Sequence, residues 1–230
     1  MLHSEEFWKK LVQNPKALGP KEREYWMEIE PILSELLDEI KEKEKTEISF
    51  IQIKEKHLCD IMNNLIQTNK NRNILDSLFD NKEKFLKGNS KFGFDEQTLT
   101  SLYVQIEAYS CVLSTECFKL LLLFHLRDVN PLVSRFSTTI EKLAPNAWKK
   151  LKPYVDNEFR NSLAHGTWAI ERALKSKKPV TAVVLFRDAE LEPYKRLGLH
   201  DFMIEIKKQN ILCTCLSHLI RQKRKENFFT

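Results

Sequence analysis

The chain is short of glycine and lacks any cysteine pattern, and both absences narrow its architecture. Five glycines and eight prolines among 230 residues, the prolines mostly at segment ends, leave little room for a loop-rich β fold and make helix the strong expectation. Five cysteines (Cys59, Cys111, Cys117, Cys213 and Cys215) form no CxxC pair and no Cys/His set at zinc-finger spacing. This argues against a disulfide-framed secreted scaffold and a structural zinc site, and for small buried thiols in a reducing cytoplasm. A chain of this length buries a core without such staples. Long hydrophobic runs are missing too: the greasiest segment, "FKLLLLFHL" from Phe118 to Leu126, is roughly half of a membrane span and is broken by Lys119 and His125. The start, "MLHSEEFWKKLVQ", carries acids and no apolar stretch, so it does not read as a signal peptide, and the expected location is cytoplasmic with no membrane partner. Nor does one sign of charge dominate. With 37 basic and 32 acidic residues the formal net charge is +5, which permits an anionic partner without demanding one.

What the chain has is helical periodicity. In "KEREYWMEIEPILSELLDEIKEKEK", Trp26, Ile29, Ile32, Leu33, Leu36, Leu37 and Ile40 recur at three- and four-residue steps and make one apolar stripe on a charged helix. The stripe spans too few heptads for a coiled coil and is expected to pack on its own domain. "TEISFIQIKEKHLCDIMNNLIQ" opens with a brief alternation that could be strand and continues as helix, and "NRNILDSLFDNKEKFLKG" reads as a further helix ended by Gly88. The polar stretch Lys87 to Gly93 is the best boundary, dividing the chain into a helical N-terminal region, residues 1–90, and a second region, residues 91–230.

Beyond that boundary, "DEQTLTSLYVQIEAYSCVLSTECFKLLLLFHLRDVNP" predicts a central helix of about thirty residues, apolar almost all round in its second half. "PLVSRFSTTIEKLAP" gives a shorter helix. "NAWKKLKPYVDNEFRNSLAHG" leads into another, with Pro153 at or near its first turn and Gly166 where a helix wants a left-handed C-terminal residue. "TWAIERAL" and "VTAVVLFRD" then change the period and read as a small β-hairpin packed on the helices. "LHDFMIEIKKQNILCTCLSHLIRQKRK" closes the chain as an amphipathic helix. The fold class is therefore all-α with one small hairpin.

The segment "EFRNSLAHGTW", Glu158 to Trp168, concentrates the candidate chemistry. Asn161 and His165 are four apart and share a helix face, while Arg160 lies about 140° around from His165, an angle only a long side chain spans. Leu163 should point to the core. Such a helix end offers a guanidinium suited to phosphate oxygens, an amide to hold geometry and an imidazole able to exchange a proton near neutral pH. Those groups suit metal-free cleavage of a phosphodiester, with general acid/base chemistry at an RNA 2′-hydroxyl or leaving oxygen and cationic stabilisation of the transition state. Lys149, Lys150 and Lys152 precede the motif and are candidates to track an RNA backbone; Arg221, Lys223, Arg224 and Lys225 fit a solvated helix end better. Glu107 and Glu116 on the long helix could approach the motif, though nothing in the sequence alone places them there, and His3, His57, His125, His200 and His218 read as structural or solvated.

An all-helical domain with Arg160-Asn161, Ala164, His165 and Gly166 near the end of a late helix resembles the HEPN family, the higher eukaryotes and prokaryotes nucleotide-binding domains. Many of these are metal-independent ribonucleases with an R-x4-6-H motif, and here four residues separate Arg160 from His165. The resemblance spans Phe94 to about Lys225 and leaves the N-terminal region without a role. It implies an up-and-down helical bundle with a helical N-terminal extension and a homodimer whose two motifs face one another across a cleft. It also implies an endoribonuclease leaving a 2′,3′-cyclic phosphate and a 5′-hydroxyl, with Arg160, His165 and Asn161 catalytic. No cofactor or metal is expected. A toxin or antiviral-defence role, with an antitoxin or another protein partner, follows from the resemblance alone. Thr167 departs from the family pattern, since toxin-type members often carry a tyrosine two residues after the histidine. The rival reading of the same residues is a non-catalytic helical module for dimerisation, nucleotide binding or protein interaction. In that reading Arg160 and His165 merely complement the helix dipole.

Overall fold

The computed structural model describes residues 18–43, 51–81, 83, 95–124, 136–171, 182–187 and 192–225. In chain order the helices before the motif are α1 (Pro20–Lys43), α2 (Ile51–Asp80), α3 (Glu96–Phe124), α4 (Phe136–Leu143) and α5 (Pro145–Leu151), followed by a 3-10 turn (Lys152–Tyr154). The motif helix α6 (Asn157–His165) leads into β1 (Trp168–Glu171), β2 (Ala182–Phe186) and β3 (Pro193–Gly198), and α7 (Leu199–Lys225) is the last described element. The residues group into two compact units. The first comprises 1–63, 114–156 and 208–230, the second 64–113 and 157–207. The division passes through α2, α3 and α7, each of which contributes a segment to both units.

In the first unit, α1 starts where its sequence provides a cap. Pro20 occupies the first helical position, where its missing N–H costs nothing, and the Glu22 carboxylate accepts a 3.0 Å hydrogen bond from the Gly19 N–H. The apolar stripe of α1 is buried as expected at Trp26, Ile29, Leu33, Leu36, Leu37 and Ile40, with Ile32 half-buried. Its neighbouring acids tie down α5 and the turn after it. Glu39 accepts from the Ala147 N–H (3.4 Å), Glu35 pairs with Lys150 (2.7 Å), and Glu28 accepts from the Tyr154 hydroxyl (2.5 Å). Beneath them Phe136 stands edge-on to both Phe118 and Trp148, at 6.1 and 5.7 Å between centroids.

The second unit is built round the sheet. Asp95 caps α3 by accepting a 2.7 Å hydrogen bond from the Thr98 N–H. β1 and β3 both pair antiparallel with the central β2, with Trp168 opposite Leu185 and Val183 opposite Leu197, and a bulge interrupts the second ladder between Leu185 and Phe186. One sheet face meets the helices. Val183 and Leu185 of β2 join Val104, Ala108 and Cys111 of α3, Phe159 and Leu163 of α6, and Phe202 and Ile206 of α7 in one core. Phe159 lies 5.8 Å from Phe202 between ring centroids. Each Val, Leu, Ile or Phe side chain so removed from water contributes about 1.5–3 kcal/mol, so this core is the main force holding α6 to the sheet.

The chain is predominantly helical, as the periodicity predicts, and the hairpin after the motif forms. Three expectations need correction. The sheet has a third strand, Pro193–Gly198, so the β element is not a hairpin alone. Residues 51–80 form one continuous helix where two were expected. Pro153 sits in the 3-10 turn and not in the first turn of α6, which begins at Asn157. The boundary proposed at Lys87 to Gly93, and Gly88 as a helix end, lie outside the described residues. Four cysteines are buried, Cys59 is half-buried, and none of the five is in a disulfide. Among the described residues no helix is long and apolar enough to cross a membrane.

Candidate functional site

Helix α6 buries Phe159 and Leu163 and leaves its polar motif residues partly or wholly exposed, with the Nε of Arg160 itself buried. Phe159, Ser162 and Leu163 are buried, Arg160 and Asn161 are half-buried, and Glu158, Ala164 and His165 are exposed. The three-four spacing of Phe159, Ser162 and Leu163 accounts for this, because it places them on the face held by the core.

The end of the helix is fixed by a polar clamp. Gly166 has φ +69°, in the left-handed region, and the Thr167 N–H bonds back to the Ser162 carbonyl at 3.0 Å, the six-to-one bond of a Schellman ending. Both flanking hydroxyls then reach β2. Ser162 Oγ donates to the Phe186 carbonyl at 2.8 Å and Thr167 Oγ1 approaches the same oxygen at 3.2 Å. The Phe186 N–H donates in turn to the Thr167 carbonyl at 2.9 Å. His165 is the last helical residue before this clamp, so its backbone is held at a defined place, and the residue is exposed.

Arg160 Nη1 donates to Asn161 Oδ1 at 3.0 Å, so the amide holds one edge of the guanidinium. Of the three motif residues, this bond joins the arginine to the amide expected to orient it. Two further charges lie against this helix. Arg187, the residue after β2, pairs with Glu158 at 3.8 Å, both side chains being 60% exposed. Lys195 of β3 places its ammonium 5.6 Å from the centre of the Phe159 ring. Neither cation was a candidate from sequence. Lys195 depends on a strand that the residue pattern does not announce, and Arg187 becomes a neighbour of the motif only through the clamp on Phe186.

The lysines expected to track RNA belong to the first unit and the motif to the second. Lys149, Lys150 and Lys152 are all exposed, and Lys150 is engaged by both oxygens of Glu35. Glu107 is 4% exposed and is held by Arg72 from α2, whose Nη2 donates to Glu107 Oε2 at 2.9 Å and to Ser110 Oγ at 3.0 Å. Burial, with the charge of Glu107 second, pushes the Tyr103 hydroxyl beside this cluster above its usual range. His218 stands edge-on to Trp26, and His200 is exposed. His3 and His125, and the side chain of His57, lie outside the described residues. Among the described residues no three His, Cys, Asp or Glu side chains form a group that could hold a metal ion.

Comparison with protein-family models, with curated proteins and with solved structures returned no match for this chain.

Proposed function

We propose that the protein is a HEPN-like, metal-independent endoribonuclease that works as a homodimer. One observation carries the reading: a guanidinium joined to an amide, Arg160 to Asn161, on the same short helix as an exposed histidine, His165, whose backbone is fixed by the Gly166 ending. In this reading His165 accepts the proton of an RNA 2′-hydroxyl. The 2′-oxygen attacks the adjacent phosphorus, the bond to the 5′-oxygen breaks, and the proton is returned to that leaving oxygen. Arg160 neutralises the charge that builds on the non-bridging oxygens, and Asn161 sets the plane of its guanidinium. The products are a 2′,3′-cyclic phosphate and a 5′-hydroxyl. A toxin or defence role belongs to the same proposal, as does the helical bundle of the family. Of the three lysines, Lys149 and Lys152 remain the proposed RNA contacts, with Lys150 engaged by Glu35.

The test is incubation of the purified protein with mixed tRNA and structured RNA in EDTA, beside folded His165→Ala and Arg160→Ala variants. Cleavage that persists under chelation and is lost in both variants supports the reading. An uncut RNA panel, or equal cutting by the variants, moves the assignment to a non-catalytic helical module.

A further inference from the structure

We propose that Arg187 is a second phosphate-binding residue of this site, held by Glu158 until RNA displaces the carboxylate; the inference rests on RNA being the ligand of the motif helix. Helix geometry puts Glu158, Asn161 and His165 within about 60° of one another on one face, with Glu158 and His165 about 10 Å apart along the axis. Arg187 meets that face at its Glu158 end, opposite the end that carries His165. Its backbone is well placed for the task, because the preceding residue, Phe186, is tied to α6 by the Ser162 hydroxyl and to Thr167, just past the helix ending, by the Thr167 hydroxyl and by its own N–H. The side chain, by contrast, is loosely engaged. At 3.8 Å the pair is too long for a hydrogen bond, and with both partners 60% exposed it is solvent-screened and readily exchanged. A phosphate offers the same guanidinium a charge-assisted, two-point contact that this carboxylate does not make. A chain whose scissile phosphate sits at Arg160 and His165 would thus lay a neighbouring phosphate at Arg187, and Glu158 would act as the competitor that an RNA must replace.

The experiment measures binding of a fluorescent single-stranded 2′-O-methyl RNA, which cannot be cut by attack of its own 2′-oxygen, to the full-length protein and to Arg187→Ala, Arg187→Lys, Glu158→Ala and the double Glu158→Ala/Arg187→Ala variant. Thermal melts establish that each variant is folded, which the exposure of both residues favours. Arg187→Ala should weaken binding roughly threefold to tenfold and reduce the slope of log K against log salt by about 0.7, the loss of one phosphate contact. Arg187→Lys should restore the slope and only part of the affinity. Glu158→Ala should tighten binding about twofold to fivefold in the native background and leave it unchanged when Arg187 is absent, the non-additivity expected of two groups in direct exchange. No binding of the oligonucleotide, an Arg187→Ala variant with native affinity and slope, or a Glu158→Ala gain of equal size in both backgrounds would overturn the proposal. The cleavage reading fails separately. A protein that binds with this coupling and cuts no natural RNA keeps the Arg187 assignment and loses the ribonuclease. One that cuts RNA equally well with and without Arg187 keeps the ribonuclease and loses the assignment.

Discussion

The Ser162 hydroxyl donates a 2.8 Å hydrogen bond to the Phe186 carbonyl, and that contact joins the helix bearing Arg160, Asn161 and His165 to the central strand of the sheet. Ser162 is 2% exposed, so the bond is made away from water. Ser162→Ala should cost about 1–2 kcal/mol in urea unfolding, since the Thr167 hydroxyl still approaches the same oxygen. Removing both hydroxyls, with Ser162→Ala and Thr167→Val, should cost more than the two losses summed. Strict additivity would mean that the hydroxyls do not share the carbonyl's hydrogen bonding.

Gly166 tests the helix ending without a steric complication. A Cβ added there would meet nothing within 4 Å, so the expense of Gly166→Ala is that of the left-handed backbone alone, about 1–2 kcal/mol. Gly166→Asn should lose less, because asparagine tolerates that region. Equal thermal midpoints for all three proteins would show that the ending is not left-handed in solution.

The buried ion pair of Arg72 and Glu107 gives a different signature. Glu107→Ala leaves a partly buried guanidinium without its carboxylate and should cost about 3 kcal/mol, whereas Arg72→Met with Glu107→Leu should recover most of that loss. Chemical denaturation of the native protein and the two variants checks the order. A double variant less stable than Glu107→Ala would mean that the pair contributes net stability to the fold.

His218 predicts the direction of a pH effect. Burial is the main cause of its lowered pKa, with Arg221 acting in the same sense and the Glu30 carboxylate opposing them. A folded-state value below 6.5 means that the unfolded chain binds the proton more readily. Its contribution to stability is therefore complete above about pH 6.5 and is lost as pH falls through the folded value. Thermal midpoints measured from about pH 7.5 down to about pH 5 should fall less steeply in His218→Phe, which keeps a ring against Trp26 and removes the titration. Parallel curves would remove His218 as a source of acid sensitivity.

Much of this architecture was legible because the helices bury one face each. The stripe of α1, the length of α3, the closing helix and the glycine ending of α6 all follow from periodicity and capping residues. The parts that escaped are those where polar groups do structural work. On α2 the buried positions Leu58, Ile61 and Leu75 are bridged by Thr68, which is 4% exposed and bonds to the Asn64 carbonyl, and by Arg72, which serves Glu107; two polar residues in an apolar series read as a break between helices. β3 escaped for another reason. "PYKRLG" has no alternation of branched residues, and it is a strand because β2 supplies the pairing partner. The site shows the same division. The local spacing of Arg160, Asn161 and His165 could be read from the chain, while Arg187 and Lys195 reach α6 only through strand pairing and the clamp on Phe186.

End-group analysis of RNA incubated in EDTA with the native protein, with His165→Ala and with Arg160→Ala tests the central claim most directly. The account predicts new fragments carrying 2′,3′-cyclic phosphate and 5′-hydroxyl ends from the native protein, and at least a hundredfold fewer, on the order of one or two catalytic groups lost, from either folded variant. Fragments with other ends, or the same fragments at the same rate from the variants, would contradict it.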